Sequence, residues 1–192
     1  MARCYSGCVK KSQTLPMLWL ISDARNDAVL ETALQALPRG SGFVFRHYHL
    51  PPKERRARFA TLWRIAKARG HVVALAGAAR MARRWRADAA YGAPARVAGA
   101  RGMVRIATVH SLRELAAAHR ARADLVMLSP VFATRSHPGA KSLGEVGARA
   151  LARQALVPVV MLGGMTARRA RRMAPCGWAA IDGRSPRARP PA

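Results

Sequence analysis

The sequence predicts a single parallel (β/α)8 barrel, and three observations predict it. Short apolar runs alternate with longer amphipathic ones about eight times along the chain. The short runs are apolar at successive positions, as in "HVVALAG" and "VPVVML". That is the pattern of parallel strands covered by helices on their outer face and buried on both. The chain has 192 residues, 51% of them hydrophobic, which suits one domain with a sizeable core. No Gly-x-Gly-x-x-Gly follows the first apolar run, so the dinucleotide fingerprint of an open sheet is missing. Eight units favour the closed barrel over that sheet.

The elements follow in order. "MLWLIS" (17–22) reads as a strand and "NDAVLETALQAL" as a helix, with Asn26 or Asp27 as its N-cap. "SGFVFRHYHL" reads as the second strand. "PPKERRARFATLWRIAKARG" is a helix with Pro at its start and Gly at its end. "HVVALAG" is a strand, "AARMARRWRA" a short helix, and "DAAYGAP" a brief strand and turn. "MVRIATV" is a strand, followed by the helix "SLRELAAAHRARA", which Ser111 and Glu114 open as a capping box. "DLVMLS" and "VPVVML" are strands on either side of the helix "LGEVGARALARQA". Thr166 caps "TARRARRMA", and "GWAAID" is the last strand. The domain is expected over 17–183, after an irregular basic leader (1–16) and before a Pro/Arg-rich tail (184–192). That tail lacks apolar periodicity, so a full eighth helix is not expected. The leader or a second subunit would then cover the exposed side.

Charge excludes less than it suggests. The net charge is +25 and the pI near 11.9. The basic residues are mostly Arg spread along helix-like segments and interleaved with Ala. Aromatic RNA-binding signatures and paired CxxC fingers are absent, so nucleic acid is expected only as a non-specific, salt-sensitive partner. Cys4 and Cys8 stand without His or further Cys partners, which is no metal signature. No run approaches the ~20 apolar residues of a membrane helix. The first sixteen residues lack the apolar segment of a secretory leader. The expectation is a cytoplasmic, reduced protein.

In such barrels the working groups follow the C-terminal ends of the strands. Those positions here are Arg46, His47 and His49; Thr108 and His110; Thr134, Arg135, Ser136 and His137; Gly163, Gly164 and Thr166; and Asp182. "MLGGMT" (161–166) carries two glycines that let the backbone approach a ligand, then a helix start whose N–H groups point at the same spot. That makes a phosphate site. Thr134 and Ser136 would add hydroxyl donors to it, and Arg135 or His137 would add charge. If His47 and His49 alternate along a strand they share one side, which could be the mouth. With no carboxylate or Cys beside them, anion contact is the better reading than metal.

These residues resemble the thiamine phosphate synthase and TenI superfamily. "LWLISD", "TVHSLRE", "ADLVMLSPVFATRSHPGA" and "VPVVMLGGMT" are similar to its motifs, in the same order, over about 17–183. The resemblance implies thiamine biosynthesis: hydroxymethylpyrimidine pyrophosphate is joined to thiazole phosphate, with release of pyrophosphate. It also implies that Gly163, Gly164 and the backbone near Ile181 hold the thiazole phosphate. Thr134 and Ser136 would then contact the pyrophosphate. Thr108 stands where the family usually has Ser. The family's cofactor is Mg²⁺, yet its two Asp ligands are missing. "VALAGAAR" has Ala76 and Gly77 where the family has Asn-Asp, and "AAYGAPAR" has no carboxylate. After the second strand only Arg46 is kept, and His137 replaces the loop Lys. The cofactor therefore stays open, and so do two alternatives. One is a TenI-like tautomerase, with His110 in place of the usual His where Pro130 stands. The other is a non-catalytic barrel that binds a phosphorylated ligand. Homo-oligomerisation is open as well.

Overall fold

The structure is a computed structural model and describes residues 15–134, 139 and 141–181. Cys4 and Cys8, the tail, Asp182, and the loop residues Arg135, Ser136 and His137 lie outside the described residues, as does any eighth helix. Eight parallel strands close into a barrel in sequence order. They are β1 (Leu18–Ile21), β2 (Gly42–Phe45), β3 (Val72–Ala76), β4 (Ala89–Gly92), β5 (Val104–Val109), β6 (Leu125–Leu128), β7 (Val159–Met161) and β8 (Gly177–Ala180). β1 pairs with both β2 and β8, which completes the ring. Between the strands run α1 (Leu30–Ala36), α2 (Pro52–Ala68), α3 (Ala79–Arg84), α4 (Pro94–Val97), α5 (Leu112–Arg120), α6 (Gly144–Arg153) and α7 (Ala167–Arg172). No helix among the described residues is long and apolar enough to cross a membrane.

The period of two along each strand splits the apolar residues into two clusters. Leu20, Phe43, Phe45, Val73, Leu75 and Val126 face the helices, where Leu34, Phe59, Leu62 and Leu115 meet them. Trp19, Ile21, Val44, Ala74, Ala76, Ala89, Ile106, Met127, Val160 and Ala179 fill the barrel itself. Alanines from β3, β4 and β8 leave interior space, and the one indole of Trp19 takes it up. Its Nε1–H donates to the Pro16 carbonyl at 2.6 Å. Gly42 sits opposite Trp19 in register. A Cβ at Gly42 would lie 2.1 Å from Trp19 Cδ2, so this strand position has room for hydrogen only.

Local signals explain most helix ends. Pro52 opens α2, and its inner face buries Phe59, Leu62 and Ala66. Ser111 Oγ accepts from the Glu114 N–H at the start of α5, and Thr166 Oγ1 accepts from the Arg169 N–H at the start of α7. The capping box at α5 is shifted by one residue: Glu114 Oε2 accepts from the N–H of His110, not of Ser111.

Three expectations need correction. The first helical segment begins earlier, with a 3-10 turn over Ala24–Val29 capped by Asp23. Asn26 is not the cap but its partner, accepting from the Asp23 N–H at 2.8 Å. The segment "APAR" is not a plain turn, because Pro94 opens the short α4. The second strand stops at Phe45, since His47 has φ 39 and breaks the extended run.

That break is held by a polar cluster. The Arg46 N–H donates to Ser22 Oγ at 2.8 Å. The Ser22 hydroxyl is then free to donate to His47 Nδ1, also at 2.8 Å. Nε2–H of the same ring donates to Asp27 Oδ1 at 2.8 Å, and Arg58 Nε donates to that oxygen as well. Neutral His47 with its proton on Nε2 satisfies all of these bonds, and its ring stacks on Phe45 at 4.7 Å. Burial pushes the imidazole below its usual range, against the opposing pull of Asp27. Burial would raise the Asp27 carboxyl, but bonds from His47 and Arg58 outweigh it and hold it low.

Two outcomes are expected. Gly42→Ala forces a methyl into the indole and should cost roughly 1–3 kcal/mol in urea unfolding. His47 binds its extra proton more readily unfolded than folded, so its contribution is intact above its ordinary value near 6.5 and is lost as pH falls through it. Buried His71, likewise depressed by burial, acts with the same sign. The melting temperature should therefore drop from about pH 7 to about pH 5, and His47→Asn should lessen that drop.

Candidate functional site

The inward face of each strand ends at the barrel mouth, so alternation decides which side chains floor it. Val44 leads to Arg46, Ile106 to Thr108, Met127 to Ser129, Val160 to Leu162 and Ala179 to Ile181. All five end residues line one cavity of about 1600 Å3 at the C-terminal ends of the strands. Leu162, Tyr91 and Ile181 make an apolar floor. The expected Arg46, Thr108, His110, Thr134, Gly163, Gly164 and Ile181 all meet here.

On one side the loops after β6 and β7 are bonded to each other. The Val131 N–H donates to the Leu162 carbonyl at 2.9 Å, and the Phe132 N–H to Gly163 at 3.1 Å. Gly163 and Gly164 have φ 94 and 60, in the region that favours glycine. A Cβ at Gly163 would stand 2.7 Å from Pro130 Cα, and one at Gly164 would stand 2.6 Å from the Ala133 oxygen. The two glycines are thus needed for the close approach of the two loops, which sets Thr134 beside the Gly-Gly turn. Arg169 donates to the Gly164 carbonyl and lies 4.2 Å over the Phe132 ring. Thr166 and Arg168 complete this wall.

The opposite side carries residues that sequence reasoning did not single out. Arg25 and Arg96 join Arg46 and Tyr48 in lining the cavity. Arg46 is fixed through its backbone: Ser22 takes its N–H, and Arg55 Nε donates to its carbonyl at 2.9 Å. Arg55 is 8% exposed and also bonds the Ala76 carbonyl at 2.8 Å, tying the ends of β2 and β3 together. Its guanidinium lies 5.3 Å from the Tyr48 ring and 5.4 Å from Trp85. The signal for Arg55 was present in its place one turn into a helix that follows a strand end, but nothing in the sequence said it turns inward. Tyr91 is buried, and burial pushes its phenol up to about 12, with Arg46 pulling the other way. It is a neutral donor at the floor, not a base.

The described lining residues include five arginines, Arg25, Arg46, Arg96, Arg168 and Arg169, and no carboxylate. The Asp23 carboxylate near Arg25 and Arg46 is taken up by capping and by ion pairs at 2.9 and 3.7 Å. No group of three His, Cys, Asp or Glu able to hold a metal occurs among the described residues. The positions after β3 and β4, where the resemblance implies magnesium carboxylates, hold Gly77, Gly92, Ala93 and Arg96. This donor set does not fit a hard divalent cation, which wants anionic oxygen.

The histidines divide by role. His47 is buried in its Ser22–Asp27 cluster and His49 is exposed; neither lines the cavity, so the pair does not share the mouth. His110 does line it. Its Nδ1 faces the Ser129 carbonyl, which can only accept, so Nδ1 carries the proton and Nε2 is the acceptor.

Comparison with known proteins agrees with this geometry. Residues 18–184 match the family described as thiamine monophosphate synthase. A "Putative thiamine-phosphate synthase 2" of Aquifex aeolicus is 37% identical over 59 residues, 31% of this chain. That match spans about a third of the relative's length, 32%. The thiamine phosphate pyrophosphorylase of Pyrococcus furiosus shares the fold with TM-score 0.74 and 23% identity, over 87% of this chain and 85% of that one. The 3-keto-L-gulonate-6-phosphate decarboxylase of Vibrio cholerae follows the same fold with TM-score 0.61 and 14% identity, over 88% and 89% of the two chains. Strand order, mouth and sequence match agree, and the chain belongs to the thiamine monophosphate synthase family.

Proposed function

We propose that the chain forms thiamine phosphate from a phosphorylated thiazole and hydroxymethylpyrimidine pyrophosphate. The observation that carries this reading is the pairing of an apolar floor with an arginine rim in one cavity. Flat heterocycles fit the floor at Leu162, Tyr91 and Ile181, and their anionic tails fit the rim. The Gly163–Gly164 turn, Thr134 and Arg168 are assigned to the thiazole phosphate.

In the reaction the thiazole ring nitrogen attacks the methylene carbon of the pyrimidine. The carbon–oxygen bond breaks and its electron pair leaves with pyrophosphate. Negative charge grows on the leaving group, and cations fixed before the reaction stabilise it. Arg46 is held at both its N–H and its carbonyl, so its guanidinium starts from an anchored backbone. Tyr91 offers a neutral phenol hydroxyl. No step calls for a base stronger than these groups supply.

A second reading follows from one observation, the His110 ring against the Ser129 carbonyl, next to Pro130. Its acceptor nitrogen could carry the proton of a thiazole tautomerisation in the TenI manner.

Thiazole phosphate at about 100 times its Kd should raise the melting temperature by about 5 °C or more. Mixing both substrates should give thiamine phosphate by mass spectrometry, and the gene should complement a synthase-deficient strain. Thr134→Val should lower the rate by about 10- to 100-fold with the melting temperature unchanged. His110→Asn should leave synthesis intact; a loss of about a hundredfold in tautomerisation would instead support the second reading. Absence of any thiazole phosphate effect on melting would remove both.

A further inference from the structure

Where the family resemblance implies carboxylates around magnesium, this mouth presents guanidinium groups. We propose that the Arg46 and Arg96 side of the cavity binds a diphosphate group directly, with no divalent cation between protein and anion. The inference rests on the proposed function for the identity of its ligand and deepens it by assigning how the pyrophosphate end is held.

Three observations carry it. First, the described lining is one-signed: it has arginines on both sides and no carboxylate. A magnesium ion entering there would meet like charge and no anionic oxygen of the protein. Second, the arginines are placed. Arg46 has its backbone N–H and carbonyl both engaged, by Ser22 and Arg55. Arg96 stands on α4, and its stem packs over the end of β4, with Cβ and Cδ 3.6 and 3.7 Å from where a Gly92 Cβ would be. Third, no carboxylate pairs with Arg96 among the described residues, so its charge is not spent within the protein.

Guanidinium suits the task. It stays protonated, presents a planar fork, and matches two phosphate oxygens at once. Two forks on neighbouring strand ends can neutralise much of the charge on a diphosphate that a cation would otherwise offset. The same arrangement predicts an inverted response to magnesium. The ion lowers the charge of free pyrophosphate, and so competes with the protein for the anion.

The test is calorimetric titration of the full chain with inorganic pyrophosphate, in EDTA and then in excess Mg²⁺, with thiazole phosphate titrated in parallel. Pyrophosphate should bind in EDTA, and Mg²⁺ should weaken it. Arg96→Ala should raise Kd about tenfold or more, with Arg96→Lys between it and the parent. Arg120→Ala, at the far end of the barrel and of equal charge change, should shift Kd less than about twofold. Circular dichroism melting checks that each variant folds. Binding that requires Mg²⁺ overturns the inference, and so does an equal loss in Arg120→Ala, which would mean bulk charge alone. If thiazole phosphate binds in those cases, the proposed function stands without this inference. If neither anion binds under any condition, both fall.

Discussion

Parallel strands that close into a ring all end at the same mouth, and their last carbonyl and amide groups have no further strand to bond. Buried backbone polar groups must nevertheless be paired. Here side chains do it. Asn26 donates to the carbonyls of Ile21 and Ile181 at 3.0 and 3.1 Å, which laces the seam between β1 and β8. Ser22 receives the Arg46 N–H, and Arg55 bridges the carbonyls of Arg46 and Ala76. The groups that terminate the barrel are therefore the same ones that position its rim.

This coupling explains why an excess of positive charge can be tolerated there. A buried guanidinium such as Arg55 is costly unless its donors are used. Its Nε and Nη2 meet carbonyls, and its face meets Phe45, Tyr48 and Trp85. Burial lowers its basicity, yet an arginine stays charged. Cations at the mouth thus belong to two populations. Arg55 is committed to the protein backbone, while Arg46 and Arg96 face the cavity. The composition, +25 overall, conceals this distinction.

Much of the fold was legible because strand burial on both faces and helix caps are local signals. "HVVALAG" and "VPVVML" fell where expected, and Ser111 and Thr166 cap their helices. The site was legible wherever alternation carried on to the strand tip, as at Thr108 and Ile181. It failed where the backbone turned. His47 enters the left-handed region, so alternation could not relate it to His49, and tertiary bonds to Ser22 and Asp27 decided its place. Asp23 was overlooked as a cap because the apolar period begins only at Leu30, beyond a 3-10 turn. Arg25 and Arg96 were hidden by abundance: among 34 basic residues, no local pattern marks the ones that a barrel gathers. The Gly-Gly turn was found for a partly different reason, since its glycines answer to the neighbouring loop.

That last contact has a mechanical consequence. Gly163 and Gly164 lie against Pro130 and Ala133 with space for no side chain, and two main-chain bonds join the same segments. The loops after β6 and β7 therefore travel as one body. Any guest that draws one inward brings the other with it, so the mouth narrows across two strand ends in a single movement, and neither segment can drift in sequence without a matching change across the seam.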